Sequence, residues 1–200
     1  PLLDALDDAL AAAGASRPVA ALVTRTLVDR DDPGFTHPSK PIGRYLPHAQ
    51  AQPMIDHGQV WEDRGEKGWR RVVASPEPLE VLDTPALRTL LAAGHVVVAA
   101  GGGGIPVVRD AAGRLRGVEA VIDKDLTAAL LARTLDADVL VIATDVDHAA
   151  VDWGTDHQRD LTRVGLSEIR AHAAHGQFAS GSMGPKVAAA ARFVEGGGAR

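Results

Sequence analysis

The sequence predicts a layered α/β fold, a three-layer sandwich whose largely parallel central sheet is covered by helices on both faces. Three observations predict it: a helix-then-strand order that recurs along the chain, strands that are uniformly apolar, and one long interruption rich in proline, glycine and aspartate. A strand buried on both faces has no solvent side, so its polar alternation disappears, and successive parallel strands need a crossover between them.

The first unit places Leu2, Leu3, Leu6 and Leu10 at helical spacing among aspartates, stops near Gly14 and runs into the apolar strand PVAALV. In the second unit Thr84 is the expected N-cap, Pro85 the first helical residue, Gly94 the stop and HVVVAA at 95–100 the strand. The third uses Asp125 to Leu135 and then the strand VLVIA. Between Val28 and Pro78 the pattern breaks, and VWED and WRRVV flank Gly65 and Gly68 as an expected hairpin. Residues 29–78 are therefore expected to protrude as a small lid subdomain within one domain spanning 1–200. A second hairpin is expected in VVRDAAGRLRGVEAV, turning at Asp110 and Gly113.

Composition narrows the function. Two hundred residues, 46% of them apolar, suffice for one sizeable core. A net charge of -5 supplies no basic field for a nucleic-acid backbone, so nucleic acid is not an expected partner. The absence of Cys removes disulfide scaffolds, thiolate metal sites and cysteine nucleophiles, and suits a reducing, cytoplasmic setting. No run approaches the ~18 apolar residues of a spanning helix, so no membrane partner is expected. His172 and His175 lack a ligand constellation, so no metal site is expected, and Trp61, Trp69 and Trp153 are expected to pack in the core or lid.

Four segments carry candidate chemistry. Gly101, Gly102, Gly103 and Gly104 follow a buried strand, where bare backbone amides can approach an anion; a turn needing positive φ explains them equally well in isolation. Asp123-Lys124-Asp125 opens a helix, where Asp125 can cap and steer neighbouring ammonium groups and Lys124 can face a phosphoryl group; alone, such a triplet is more often a solvated helix start. Thr144-Asp145-Val146-Asp147 leaves a strand end, where open α/β sheets bind nucleotides and where Asx turns are also common. Gly181-Ser182-Met183-Gly184-Pro185-Lys186 opens a helix running to about Glu195, with Pro185 at the first helical position and a charged Lys186 beside free amides. No Walker A loop occurs, so a phosphate site here belongs to another fold.

In order and spacing, VDRDDPGFTHPSKPIG, GWRRVVASPEPLEV, AAGGGGIPVV, GVEAVIDKDL, IATDVD and FASGSMGPKVAAAARFVEGG resemble the carbamate kinases of the amino-acid kinase family. That resemblance implies reversible phosphoryl transfer between ATP and carbamate, giving ADP and carbamoyl phosphate, with Mg2+ on the nucleotide and a role in arginine catabolism. It implies that Lys124 and Lys186 contact the transferring phosphoryl group, Asp125 organises the lysines, and Lys40 of HPSKP reaches in from the lid. It places carbamate near Gly101 to Gly104, and the nucleotide along Thr144, Asp145, Val146, Asp147, Ser182, Met183 and Lys186. A homodimer is a further expectation. So is a domain incomplete at both ends, since relatives carry an earlier strand with a Gly-Gly-Asn loop and a segment past the last helix. His148, where relatives usually have glycine, and Arg44 depart from the family pattern. The alternatives are another carboxylate-phosphorylating relative, such as acetylglutamate kinase, or a non-catalytic nucleotide-binding or dimerisation module.

Overall fold

The leucine-spaced opening folds as α1 (Leu2–Ala12), and Gly14 at φ +67° releases the chain into β1 (Val19–Ala21) and then β2 (Arg25–Val28). The computed structural model describes residues 1–179 and 182–199. Next come β3 (Lys40–Leu46), α2 (His48–Asp56), β4 (Val60–Asp63), β5 (Trp69–Val73) and β6 (Pro78–Val81). α3 (Thr84–Ala92), β7 (Val96–Val98), β8 (Ile105–Arg109) and β9 (Leu115–Gly117) follow. The chain continues through α4 (Lys124–Thr134), β10 (Ala149–Val151), β11 (Arg159–Leu161), α5 (Leu166–Ala174) and α6 (Met183–Glu195).

β1 and β2 form nearly one line of chain, accompanied in parallel first by β7 and then by β8. Val19 faces Val96 and Arg25 faces Ile105, so the path between β7 and β8 holds three residues more than the path beside it. The glycines absorb that excess as an excursion from the sheet. β6 and β9 complete the sheet β6-β2-β8-β9 by antiparallel pairing, so parallel contacts are confined to its centre and to β1–β7. Beneath the sheet, Val28, Val108 and Ile122 form a fully buried cluster flanked by Phe35 and Val118.

α4 and α6 pack through Ala129, Ala189 and Phe193, each at most 1% exposed. Small residues on both helices let the backbones approach, and Phe193 fills the space left, which is worth about 1.5–3 kcal/mol of burial. Leu140 and Ile142 lean on the same cluster, whereas Val139 and Val141 are 43% and 83% exposed. VLVIA is thus not a ladder strand as the sequence predicts. It alternates inward and outward as an extended segment, but no strand among the described residues supplies hydrogen-bond partners, and periodicity alone cannot provide one.

Three helix starts also differ from expectation. α3 begins at Thr84 with Asp83 as N-cap, and Thr84 Oγ1 donates to the Val81 carbonyl at 2.6 Å. The Asp83 carboxylate is occupied by the amide and guanidinium of Arg25, at 2.7 and 2.6 Å, and so does not cap through its side chain. α4 is capped by Asp123, not Asp125. α6 starts at Met183, which makes Pro185 its third residue, still within the turn that needs no amide donor.

The expected hairpin of VWED and WRRVV forms as β4–β5, and β3 adds to it, giving the separate sheet β3-β5-β4 with α2 alongside. Gly68, at φ +89°, passes so close to the Leu46 carbonyl that a Cβ would lie 2.8 Å from its oxygen. This sheet joins the body by backbone bonding of Val121 to Ala74 and by the Arg192–Glu77 ion pair at 2.6 Å. β10 and β11, which the sequence did not signal, form a hairpin whose connection carries Trp153 at 62% exposure, so that Trp153 is not a packing residue. Trp69 does pack, tilted against His48 at 4.6 Å between ring centres.

The excursion is held by one acceptor: the Gly103 carbonyl receives Thr26 Oγ1 at 2.9 Å and Thr127 Oγ1 at 3.2 Å, both from residues with no exposure. A Cβ on Gly104, at φ +86°, would collide with Thr26 Oγ1. Gly104→Ala is expected to lower stability by about 1–3 kcal/mol through this collision and backbone strain. Urea unfolding of the two proteins checks it, and an unchanged midpoint would show that the loop accepts a side chain.

Candidate functional site

The glycine excursion begins with positive φ at Ala100 (59°) and Gly101 (27°) and returns through Gly103 (118°) and Gly104 (86°). Among the described residues, the amides of Gly101, Gly102 and Gly104 meet no acceptor, while the Gly103 amide closes the turn on the Ala100 carbonyl at 2.6 Å. Gly101 and Gly102 are exposed, so an anion can approach the two free amides they carry.

The N-terminus of α4 lies beside this loop, tied by Thr127, whose hydroxyl reaches both the Gly103 carbonyl and, at 3.1 Å, the carbonyl of Asp123. Asp123 Oδ1 accepts from the amides of Asp125 and Leu126 at 2.9 and 3.2 Å, and its Oδ2 accepts from Lys40 Nζ at 2.5 Å. Asp125, 9% exposed, accepts from Lys186 Nζ at 3.2 and 3.4 Å. Lys124 is exposed, makes no ion pair among the described residues, and shares with Gly101 the rim of an apolar cleft of about 480 Å³ containing Leu91, Leu131 and Leu135. Two carboxylates thus hold two lysines and leave a third free, a local excess of positive charge beside free amides.

A second cleft, of about 420 Å³, opens between residues 142–149, β11, α5 and α6. Thr144, Val146, Asp147, Met183 and Lys186 line it, with Ile142 and Val187 supplying apolar wall. Asp145 is exposed and takes the Thr144 hydroxyl at 3.3 Å without lining the cleft, and Ser182 precedes α6 without a side-chain cap bond. Gly181 lies outside the described residues. Lys186 therefore belongs to both places, one wall of the cleft and the ion pair at the start of α4.

One participant, Asp123, has no role of its own in the sequence reading, and His148, noted above as a departure from the family pattern, has a neighbour the sequence does not indicate. Asp-Lys-Asp offers two capping candidates, and Asp123, the residue just before the helix, is the one that caps. His148 forms part of the cleft wall, with its Nδ1 3.9 Å from Asp160 on β11, a neighbour no local pattern announces.

Burial pushes the Asp123 carboxyl upward, but the bond from Lys40, the amides of Leu126 and Asp125 and the Lys40 charge together outweigh it, leaving the group below the ordinary carboxylate value. Asp83 is also held low, first by its hydrogen bond from Arg25.

The sequence model described as the Amino acid kinase family matches residues 7–200. The chain is 45% identical over 197 residues to a carbamate kinase of Thermoplasma volcanium, covering 98% of this chain and 64% of the relative. It is 46% identical over 197 residues to the Carbamate kinase-like protein YahI of Escherichia coli, covering 97% and 62%. The solved structure of the carbamate kinase from Giardia lamblia bound to AMP-PNP superposes with a TM-score of 0.83 at 40% identity, covering 96% of this chain and 61% of that one. The chain thus spans a little under two thirds of the length of these relatives.

A carboxyl lowered on folding contributes stability above its unfolded value, about 3.9, and loses it as pH falls through the lower folded value. At neutral pH, Asp123→Asn is expected to cost about 1–2 kcal/mol through loss of the charged bond to Lys40. Denaturant unfolding across acid pH should show the gap between wild type and variant closing only below the ordinary carboxylate range; a gap independent of pH would refute the charged pairing.

Proposed function

The chain belongs to the amino acid kinase family, and from that premise we propose that it carries the site of an ATP-linked phosphotransferase acting reversibly on carbamate and carbamoyl phosphate. The observation that carries this proposal is Lys186, which joins a nucleotide-sized cleft to a lysine-rich helix start and an open glycine loop. Similarity to carbamate kinases over nearly the whole chain supports the choice of substrate.

In this proposal the nucleotide base and ribose occupy the cleft of Ile142, Val146 and Met183, with Thr144 and Asp147 on its wall and Asp145 and Ser182 next to them along the chain. The phosphates extend along Lys186 towards α4, and carbamate rests on the amides of Gly101 to Gly104. Lys124, Lys186 and Lys40 neutralise the charge that gathers as the phosphoryl group passes between two anionic oxygens. Carbamate brings its own anionic nucleophile, so no side chain must remove a proton. Asp125 keeps Lys186 aimed by ion pairing. Mg2+ bound to the nucleotide phosphates would offset their charge, and Asp123 and Asp125 are engaged by lysines.

Residues 29–78, with the sheet β3-β5-β4, act in this proposal as a lid that brings Lys40 to the site. One domain spanning 1–200 and a cytoplasmic location belong to the same proposal, and the homodimer and the role in arginine catabolism are carried into it by family resemblance. Among the described residues, no helix is long and apolar enough to cross a membrane.

A coupled assay of ATP formation from ADP and carbamoyl phosphate tests the proposal. Lys186→Ala is expected to lower kcat/KM about 10²–10³-fold, the usual scale for removing one charge-stabilising group from a transition state. Undiminished turnover in that variant, or no turnover by the wild type in either direction, would rule the proposal out.

A further inference from the structure

We infer that Asp123 is a positioning residue for Lys40, clamping the ammonium group carried by the three-stranded sheet to the N-terminus of α4 before any anion arrives. The inference rests on the site proposed above and goes beyond it, since Asp123 contacts no substrate there.

Asp123 is anchored on every side. Its Oδ1 receives the Asp125 and Leu126 amides, so the carboxyl cannot swing away without uncapping α4. Its own carbonyl receives the Thr127 amide at 3.0 Å and the Thr127 hydroxyl at 3.1 Å. The same hydroxyl holds Gly103, so the carboxylate has a fixed relation to the glycine loop. The remaining oxygen, Oδ2, points to Lys40, and the pair is shielded, with side-chain exposures of 26% for Lys40 and 9% for Asp123.

Capping alone does not explain an aspartate here. Asparagine, aspartate and serine cap helices about equally well, so the negative charge adds little that a neutral acceptor would lack at α4. What the charge does is hold Lys40. Lys40 is the first residue of β3, anchored opposite Val73, and its side chain would otherwise be free to sample many rotamers. An ammonium group held in place needs no reorganisation when phosphoryl oxygens enter, and can shift part of its hydrogen bonding to them. Asp123 thus does for Lys40 what Asp125 does for Lys186: two carboxylates two residues apart each aim one lysine, while Lys124 between them stays free.

Asp123→Asn separates the two roles, because its amide oxygen still accepts from the helix amides while the charge is gone; Asp123→Ser serves if the amide variant does not fold. The variant is expected to unfold in one cooperative transition yet lose about tenfold or more in kcat/KM for carbamoyl phosphate, the scale of a misplaced catalytic group. In the Lys40→Ala background the same substitution should cost nothing further. Full activity in the variant, or an equal loss with and without Lys40, would overturn the inference. A readout independent of turnover separates its failure from failure of the proposed reaction. Acetylation of Lys40, followed by peptide mass spectrometry, should accelerate several-fold in Asp123→Asn while Lys186 labelling stays unchanged. Equal Lys40 labelling in both proteins would overturn the clamp even if the wild type proved inactive in the assay.

Discussion

One backbone carbonyl, that of Gly103, holds the site in register with the fold. It is buried and receives two hydroxyls, Thr26 from β2 and Thr127 from α4. An unpaired buried acceptor costs about 1–3 kcal/mol, so the loop, the strand and the helix are coupled: displacing any one of them leaves that acceptor or a buried hydroxyl without a partner. The three-residue excess between β7 and β8 is thereby turned into a loop of defined shape, in which the amides of Gly101, Gly102 and Gly104 meet no acceptor among the described residues.

Electrostatics then decides what the joint presents. Burying lone lysines or aspartates would cost several kcal/mol each, and the pairs Lys40–Asp123 and Lys186–Asp125 avoid that while keeping both ammonium groups within reach of solvent. Each pair bridges distant parts of the chain, one to the sheet β3-β5-β4 and one to α6. The start of α4 is consequently where the sheet β3-β5-β4, the glycine loop and α6 meet, and Lys124 leaves the cluster with a net positive charge.

Local pattern was legible wherever the cause was local. Leucine spacing and Gly14 marked α1, Gly94 ended α3, and Gly65 and Gly68 turned the β4–β5 hairpin. It failed wherever a distant partner intervened or an element was too short. Arg25 takes the Asp83 carboxylate, VLVIA has burial alternation without a ladder, and the β10–β11 hairpin pairs strands of only three residues, too short for a periodic signal although Asp152 and Gly154 turn their connection. Trp153 shows the same limit, since an aromatic residue is buried only if something covers it.

For the site, sequence alone determined the candidate groups: four glycines after a buried strand, the lysines and aspartates at the start of α4, and Lys186 at the start of α6. Helix starts and strand ends are local features, and the chemistry of their residues travels with them. Only the tertiary structure decided which charges meet, because Lys40 and Asp123 lie 83 residues apart and Lys186 and Asp125 lie 61 apart. Such pairings depend on how sheet and helices pack, and at separations that long no periodicity in the chain records which carboxylate will face which lysine.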